Sequence, residues 1–255
     1  MAKIGSNPLS APGDVFYTSA TPQATVGARF ESADGRVYRY AQFDPANAMV
    51  AGNLLQGVAP VLNHQHLTVT TGAAAGMGTQ GQLPSILVTL GATNGTAGFY
   101  ANGYLVVDSG SGHLGQTYSI VGNTTAASSG TMFVYLGEPL QTAIVAATDT
   151  VSLVPNQYNG VIQSPTTITG TVAGVAVVAG SAGWYGYIQT RGVASVLADA
   201  TVAAKGLPVT ASTTTAGAVT VIGLVGGTST NYMTVGNAVV TTVSARANPV
   251  FLTLE

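Results

Sequence analysis

The sequence predicts an all-β protein, built of β-sandwich or barrel domains behind an extended N-terminal arm. Three observations carry that reading. Few stretches run three helical turns without a glycine or a β-branched residue, and no Glu-, Lys- and Leu-rich segment occurs. Short apolar, β-branched runs bounded by Gly, Asn, Ser or Pro recur along the chain, as strands and turns do. The 33 glycines are spread out rather than gathered in a linker, and 46% of residues are hydrophobic, enough for a core.

Residues 1–28 read as the arm. Pro8, Pro12 and Pro22, with Gly5 and Gly13, leave little periodicity, so this stretch is expected to order only by lying on something. Removing it is expected to leave the body folded. Residues 29–165 read as a β-sandwich or barrel. Within them Val37, Arg39, Ala41 and Phe43 alternate with Tyr38, Tyr40 and Gln42, which places the two sets on opposite faces of a strand. Asp44-Pro45-Ala46-Asn47 is a turn signal. Further strands are expected at 66–70, 85–90, 103–107, 116–120, 131–136 and 150–154, with a short helix or turn within 137–147. Residues 166–255 read as a smaller barrel-like domain with strands at 172–178, 184–191, 194–197, 219–225, 234–239 and 250–254. No internal repeat stands out.

Charge is the most unusual property. Seven Lys and Arg and nine Asp and Glu make 6% of the chain, against about 25% in ordinary soluble domains. A chain so poor in charge hides much of its surface against partners or shows a neutral surface of Thr, Ser, Asn, Gln and Gly. No apolar run approaches the ~20 residues that span a bilayer, and no aromatic girdle pattern appears, so no membrane partner is expected. Met1-Ala2-Lys3-Ile4-Gly5-Ser6 lacks the apolar core of a signal peptide. Net charge is −2 and no basic cluster stands free of acids, so nucleic acid is not expected either. The absence of cysteine excludes disulfides, thiolate metal sites and cysteine nucleophiles.

The motifs that could carry chemistry are weak. Gly110-Ser111-Gly112-His113-Leu114-Gly115 matches G-x-G-x-x-G, but Gln116 to Ile120 alternates like a strand where a nucleotide site needs a helix. It reads as a hairpin turn. His64 and His66 would share a face of a strand, with no third metal ligand near. Asp108, Ser109, Ser111 and His113 bring acid, hydroxyl and imidazole together, in a turn too tight for a catalytic triad. Asn94 and Asn123 open glycosylation sequons that read as turns. The chain is therefore expected not to be an enzyme and to need no cofactor or metal.

The most informative stretch is Gly183-Trp184-Tyr185-Gly186-Tyr187-Ile188-Gln189-Thr190-Arg191-Gly192, with the only Trp of the chain. Aromatics on a short strand serve as core or interface anchors. Trp184, Tyr185, Tyr187 and Arg191, with Tyr38 and Tyr40, are the candidate subunit or lattice contacts.

This stretch, continued through Val193-Ala194-Ser195-Val196-Leu197 and a later Ala216-Gly217-Ala218-Val219, resembles a segment of tailed-bacteriophage virion proteins, capsid decoration (cement) proteins among them. Residues 37–43, 101–107, 110–118 and 156–162 are similar to the same group. The resemblance implies a β-rich virion component on the outer capsid lattice, made in the host cytoplasm, with the major capsid protein as partner. It also implies a homo-oligomer, a trimer being favoured, that stabilises the head. It carries no catalytic residue. A tail-tube, head-closure or fibre component stays open, as does a carbohydrate-binding or adhesin module.

Overall fold

The computed structural model describes residues 15–72, 84–110, 114–199, 205–222 and 233–255. The protein is all-β. Its described residues form the strands β1 (Thr18–Ser19), β2 (Arg29–Glu31), β3 (Val37–Phe43), β4 (Leu54–Gln56), β5 (Leu67–Thr71), β6 (Ser85–Thr89), β7 (Tyr104–Ser109), β8 (Thr117–Asn123) and β9 (Thr131–Leu136). They continue with β10 (Thr150–Val154), β11 (Asn159–Gln163), β12 (Val172–Ala176), β13 (Tyr185–Ala198), β14 (Pro208–Ala211), β15 (Val219–Val221), β16 (Thr234–Ala238) and β17 (Arg246–Thr253). Residues 137–147 form turns, not a helix.

The chain divides into two units, Pro60–Asn156 and the stretches that flank it, through Ala59 and from Gln157. This departs from the expected domains 29–165 and 166–255. The reason lies in long-range pairing: β3 and β4 find their partners in β11, β12 and β13, far along the chain.

Unit Pro60–Asn156 is a closed barrel in the order β10-β5-β6-β9-β8-β7. Alternation sends one set of side chains inward, so β9 buries Met132, Val134 and Leu136 while Thr131, Phe133 and Tyr135 face out. Ile86, Val88, Leu105, Val107, Ile120 and Leu153 are among the other residues that fill the interior. Closure leaves no free strand edge.

The other unit is built on β13. The sequence predicted two strands here, broken near Gly192. Instead Gly192 takes a left-handed φ of +85° inside one 14-residue strand, just past the register shift between Gln189 and Arg191 in the pairing with β3. The first half of β13 closes a ring with β12, β4, β11 and β3. The second half closes another with β17, β16, β14 and β15.

The two rings have one topology. Numbering each ring's strands one to five in chain order, both run 5-4-2-3-1 and back to 5. In both, strands one and three are parallel and every other pair is antiparallel. The registers agree as well. Leu55 opposite Gly174 corresponds to Val209 opposite Gly236, with a bulge at the same place in each pair. Phe43 opposite Val161 corresponds to Ala198 opposite Val219. The interiors correspond too: Ala41, Leu55, Ala173, Ala176 and Ile188 fill the first ring as Val196, Val209, Val235, Ala238 and Val250 fill the second. The fold is thus an internal duplication that the sequence does not display, with the barrel set between the second and third strands of the first ring.

Candidate functional site

Three of the candidate contacts are core residues. Tyr38, Tyr40 and Tyr187 are buried on the outer face of β3 and β13, beneath residues 15–31. Tyr187 packs edge-on to Tyr40 at 5.1 Å, and Phe30 lies 6.0 Å from Tyr38. β1 adds to β13, β2 adds to β3, and the Gln23 N–H donates to the Tyr40 hydroxyl at 2.9 Å. The described part of the expected arm, residues 15–28, is therefore a cover over the aromatic face. This contradicts the expectation that the whole arm is dispensable; residues 1–14 of it lie outside the described residues. Val15, Ala24 and Ala28 in the arm, with Phe30 just beyond it, are the apolar spacing that could have revealed it. Trp184 and Arg191 are exposed, while Tyr185 is half-buried and stacks on Tyr40 at 6.2 Å.

Beside the covered face lies a groove of about 420 Å³, lined by Phe16, Arg36, Tyr38, Val177, Gln189 and Val193 among others. The buried Gln189 amide donates to the carbonyls of Arg191 (2.9 Å) and Val193 (3.0 Å), filling backbone bonds at the bulge. Arg36 stands 5.8 Å above the Tyr38 ring and pairs with Asp34 at 2.7 Å. The Ser32 hydroxyl, the Arg36 backbone N–H and the guanidinium together bring the Asp34 carboxyl down to about 2.

The charges are unevenly placed. All seven Lys and Arg lie outside residues 60–156, where the only charged residues are Asp108, Glu138 and Asp149. In the ring unit, Glu255 accepts from Arg39 at 2.5 Å and lies 3.5 Å from Arg29, which also pairs with Glu31 at 2.9 Å. On the barrel, Asp108 accepts from the hydroxyls of Thr150 and Ser152 and lies 3.2 Å from His66 Nδ1. Partial burial pushes the Asp108 carboxyl up, but those hydroxyls and the imidazole outweigh it and the net shift is downward.

The two histidines do not share a strand face as expected. His64 is buried in a 3-10 turn, and its Nδ1 accepts from the Tyr100 hydroxyl at 2.6 Å while Nε2 donates to the Thr93 carbonyl at 3.1 Å. His66 takes a φ of +52° and points its ring to the surface. Asp108 thus meets His66, which sequence spacing did not suggest. Ser111 and His113 lie outside the described residues. The strand β8, not a helix, follows the G-x-G-x-x-G match. Asn94 and Asn123 pin loops, accepting from the N–H groups of Ser128 and Tyr100. Among the described residues no group of three His, Cys, Asp or Glu could hold a metal.

What remains is surface of a particular kind. On the barrel, Phe133 and Tyr135 stack in the open at 6.5 Å on β9, with Leu87 opposite Phe133 and exposed Val121 on β8. On the second ring, Val193 and Phe251 stand opposite one another, both exposed. Exposed apolar groups grouped on sheet faces, rather than scattered, mark interaction surfaces. No protein-family model, curated protein or solved structure matches the chain.

Proposed function

We propose that this chain is a non-enzymatic structural protein of a virion, a capsid decoration protein that binds the outer lattice of the major capsid protein in a tailed bacteriophage and reinforces the head. The observation that carries the reading is the pairing of open apolar sheet faces, Phe133 with Tyr135 and Val193 with Phe251, with a chain only 6% charged. Apolar faces need covering, and so few charges give weak dispersal in solution. A lattice that repeats one site many times supplies both cover and avidity. The similarity of residues 183–197 to phage virion segments points the same way. Copies of the chain associate with one another as well as with the shell.

The test is to add the purified protein to heads that lack it, sediment them, and image the particles. Saturating, stoichiometric binding with regular density on the head surface is the expected result. Density at the tail alone, or no binding, overturns the reading.

A further inference from the structure

The duplication supplies an internal control for what an outer sheet face of this fold requires. In the first ring, Tyr38 stands opposite Gln189 and Tyr40 opposite Tyr187. At the corresponding positions of the second ring, Val193 stands opposite Phe251 and Ser195 opposite Pro249. Val177, which follows β12, corresponds to Val239, which follows β16. The first-ring face is buried because residues 15–31 fold across it and contribute Val15, Ala24, Ala28 and Phe30. The second ring has no such preceding segment, since the chain ahead of its first strand is the fifth strand of the first ring. Among the described residues none folds across its face, and Val193 is 49% and Phe251 44% exposed.

Charge says what fits there. Among the described residues, Arg191, Lys205 and Arg246 all belong to the second ring and make no ion pair, whereas Arg29, Arg36 and Arg39 of the first ring are all paired. The barrel has no Lys or Arg, and of its three acids Asp108 faces His66 and Asp149 is buried. Its exposed Glu138 follows closely on the open Phe133–Tyr135 pair of β9.

We propose that the Val193–Phe251 face of the second ring is the docking site for a second copy of this chain, which presents the Phe133–Tyr135 face of its barrel. An apolar centre meets an apolar centre, and exposed Arg191, opposite Thr253 beside the Val193–Phe251 pair, meets exposed Glu138 beside the Phe133–Tyr135 pair. The contact joins different surfaces of the two copies, so it builds head-to-tail rings or chains rather than a two-fold dimer. The proposal shares with the functional reading only the premise that the chain assembles, and its test uses no capsids.

The experiment is sedimentation of the full chain over a concentration series, with Phe251→Asp and Phe133→Asp variants. Wild type is expected to form oligomers, and each variant to weaken assembly at least tenfold. Mixing the two variants is expected to restore a two-chain species, because each still offers one intact face. Both positions are exposed, and a cooperative melt confirms each fold. Phe251→Ser or Phe133→Ser replaces an aspartate variant that fails to fold. A wild type that stays monomeric, a variant that assembles like wild type, or a mixture that stays monomeric overturns the proposal. Failure here with intact head binding leaves the decoration reading standing, and the converse also holds.

Discussion

Gly52 and Gly206 occupy the same place in the two rings. Each has a φ of +82°, and each donates its N–H to an alanine carbonyl, Ala176 at 2.8 Å and Ala238 at 2.7 Å. The next bond corresponds as well, from the Ala176 N–H to Asn53 and from the Ala238 N–H to Leu207. After each ring's first strand, the N–H of Asp44 donates to Val161 and that of Asp199 to Val219. The duplication therefore extends to single hydrogen bonds, although the side chains around them differ.

Corresponding glycines should fail alike when replaced. A Cβ at Gly206 meets nothing within 4 Å and one at Gly52 meets only ordinary contacts, so Gly52→Ala and Gly206→Ala carry the left-handed strain alone. Each is expected to cost about 1–2 kcal/mol in urea melts. Gly174 and Gly236 are different: a Cβ would lie 2.8 Å from the Gln189 carbonyl oxygen and 2.0 Å from that of Phe251. Gly174→Ala and Gly236→Ala are expected to cost more than about 3 kcal/mol, since backbone must move. A large difference within either pair would contradict the correspondence of the rings.

Neighbouring residues of the cover should behave in opposite ways. Val15 is 3% exposed within the aromatic cluster, whereas Phe16 is 56% exposed. Val15→Asp puts a carboxylate among Tyr38, Tyr40 and Tyr187 and is expected to cost about 3 kcal/mol or more. Phe16→Asp is expected to stay within about 0.5 kcal/mol of wild type. Chemical denaturation of the two variants checks both. Equal, small effects would mean that residues 15–31 are not part of the folded core.

Asp108 should make stability depend on acid. Its folded carboxyl titrates below its unfolded value, so its contribution is complete above the ordinary carboxylate range and is lost as pH falls through the folded value. Asp108→Asn is expected to cost about 1–3 kcal/mol at neutral pH, as hydrogen bonds to a charged acceptor are weakened. The gap from wild type should close progressively below pH ~4. Thermal melts from pH 7 to pH 2.5 measure it. A gap that stays constant across that range would remove the carboxylate from the account.

The fold class was legible because alternation is local. The spans 131–136 and 150–154 coincide with β9 and β10. The domain plan was not, because it rests on β3 and β4 pairing across an entire inserted barrel. The repeat was hidden for a related reason. Val172-Ala173-Gly174-Val175-Ala176 and Thr234-Val235-Gly236-Asn237-Ala238 keep only the glycine and the last alanine. Backbone register holds the correspondence, and small apolar residues interchange freely inside a narrow ring. Tyr38 and Tyr40 misled for a third reason: alternation gives a residue's face but not whether another segment covers it.

The Glu255 pairing gathers three charges of the first ring unit at one partly shielded place. Its carboxylate is held by Arg39 and Arg29, at side chains between 22% and 31% exposed, and Arg39 lies 5.7 Å above the Tyr158 ring. Partial shielding and two guanidiniums make this stronger than an isolated surface pair. Glu255→Gln is expected to cost about 1 kcal/mol in low salt, with much of the loss disappearing near 1 M NaCl, where the Debye length falls to about 3 Å. Asp34→Asn, which breaks the more open pair with Arg36, is expected to cost no more than a few tenths of a kcal/mol at any salt. Melts of both variants at the two salt concentrations decide the matter. If Glu255→Gln matches wild type in low salt, the paired charges do not hold the first ring together and their grouping has no structural consequence.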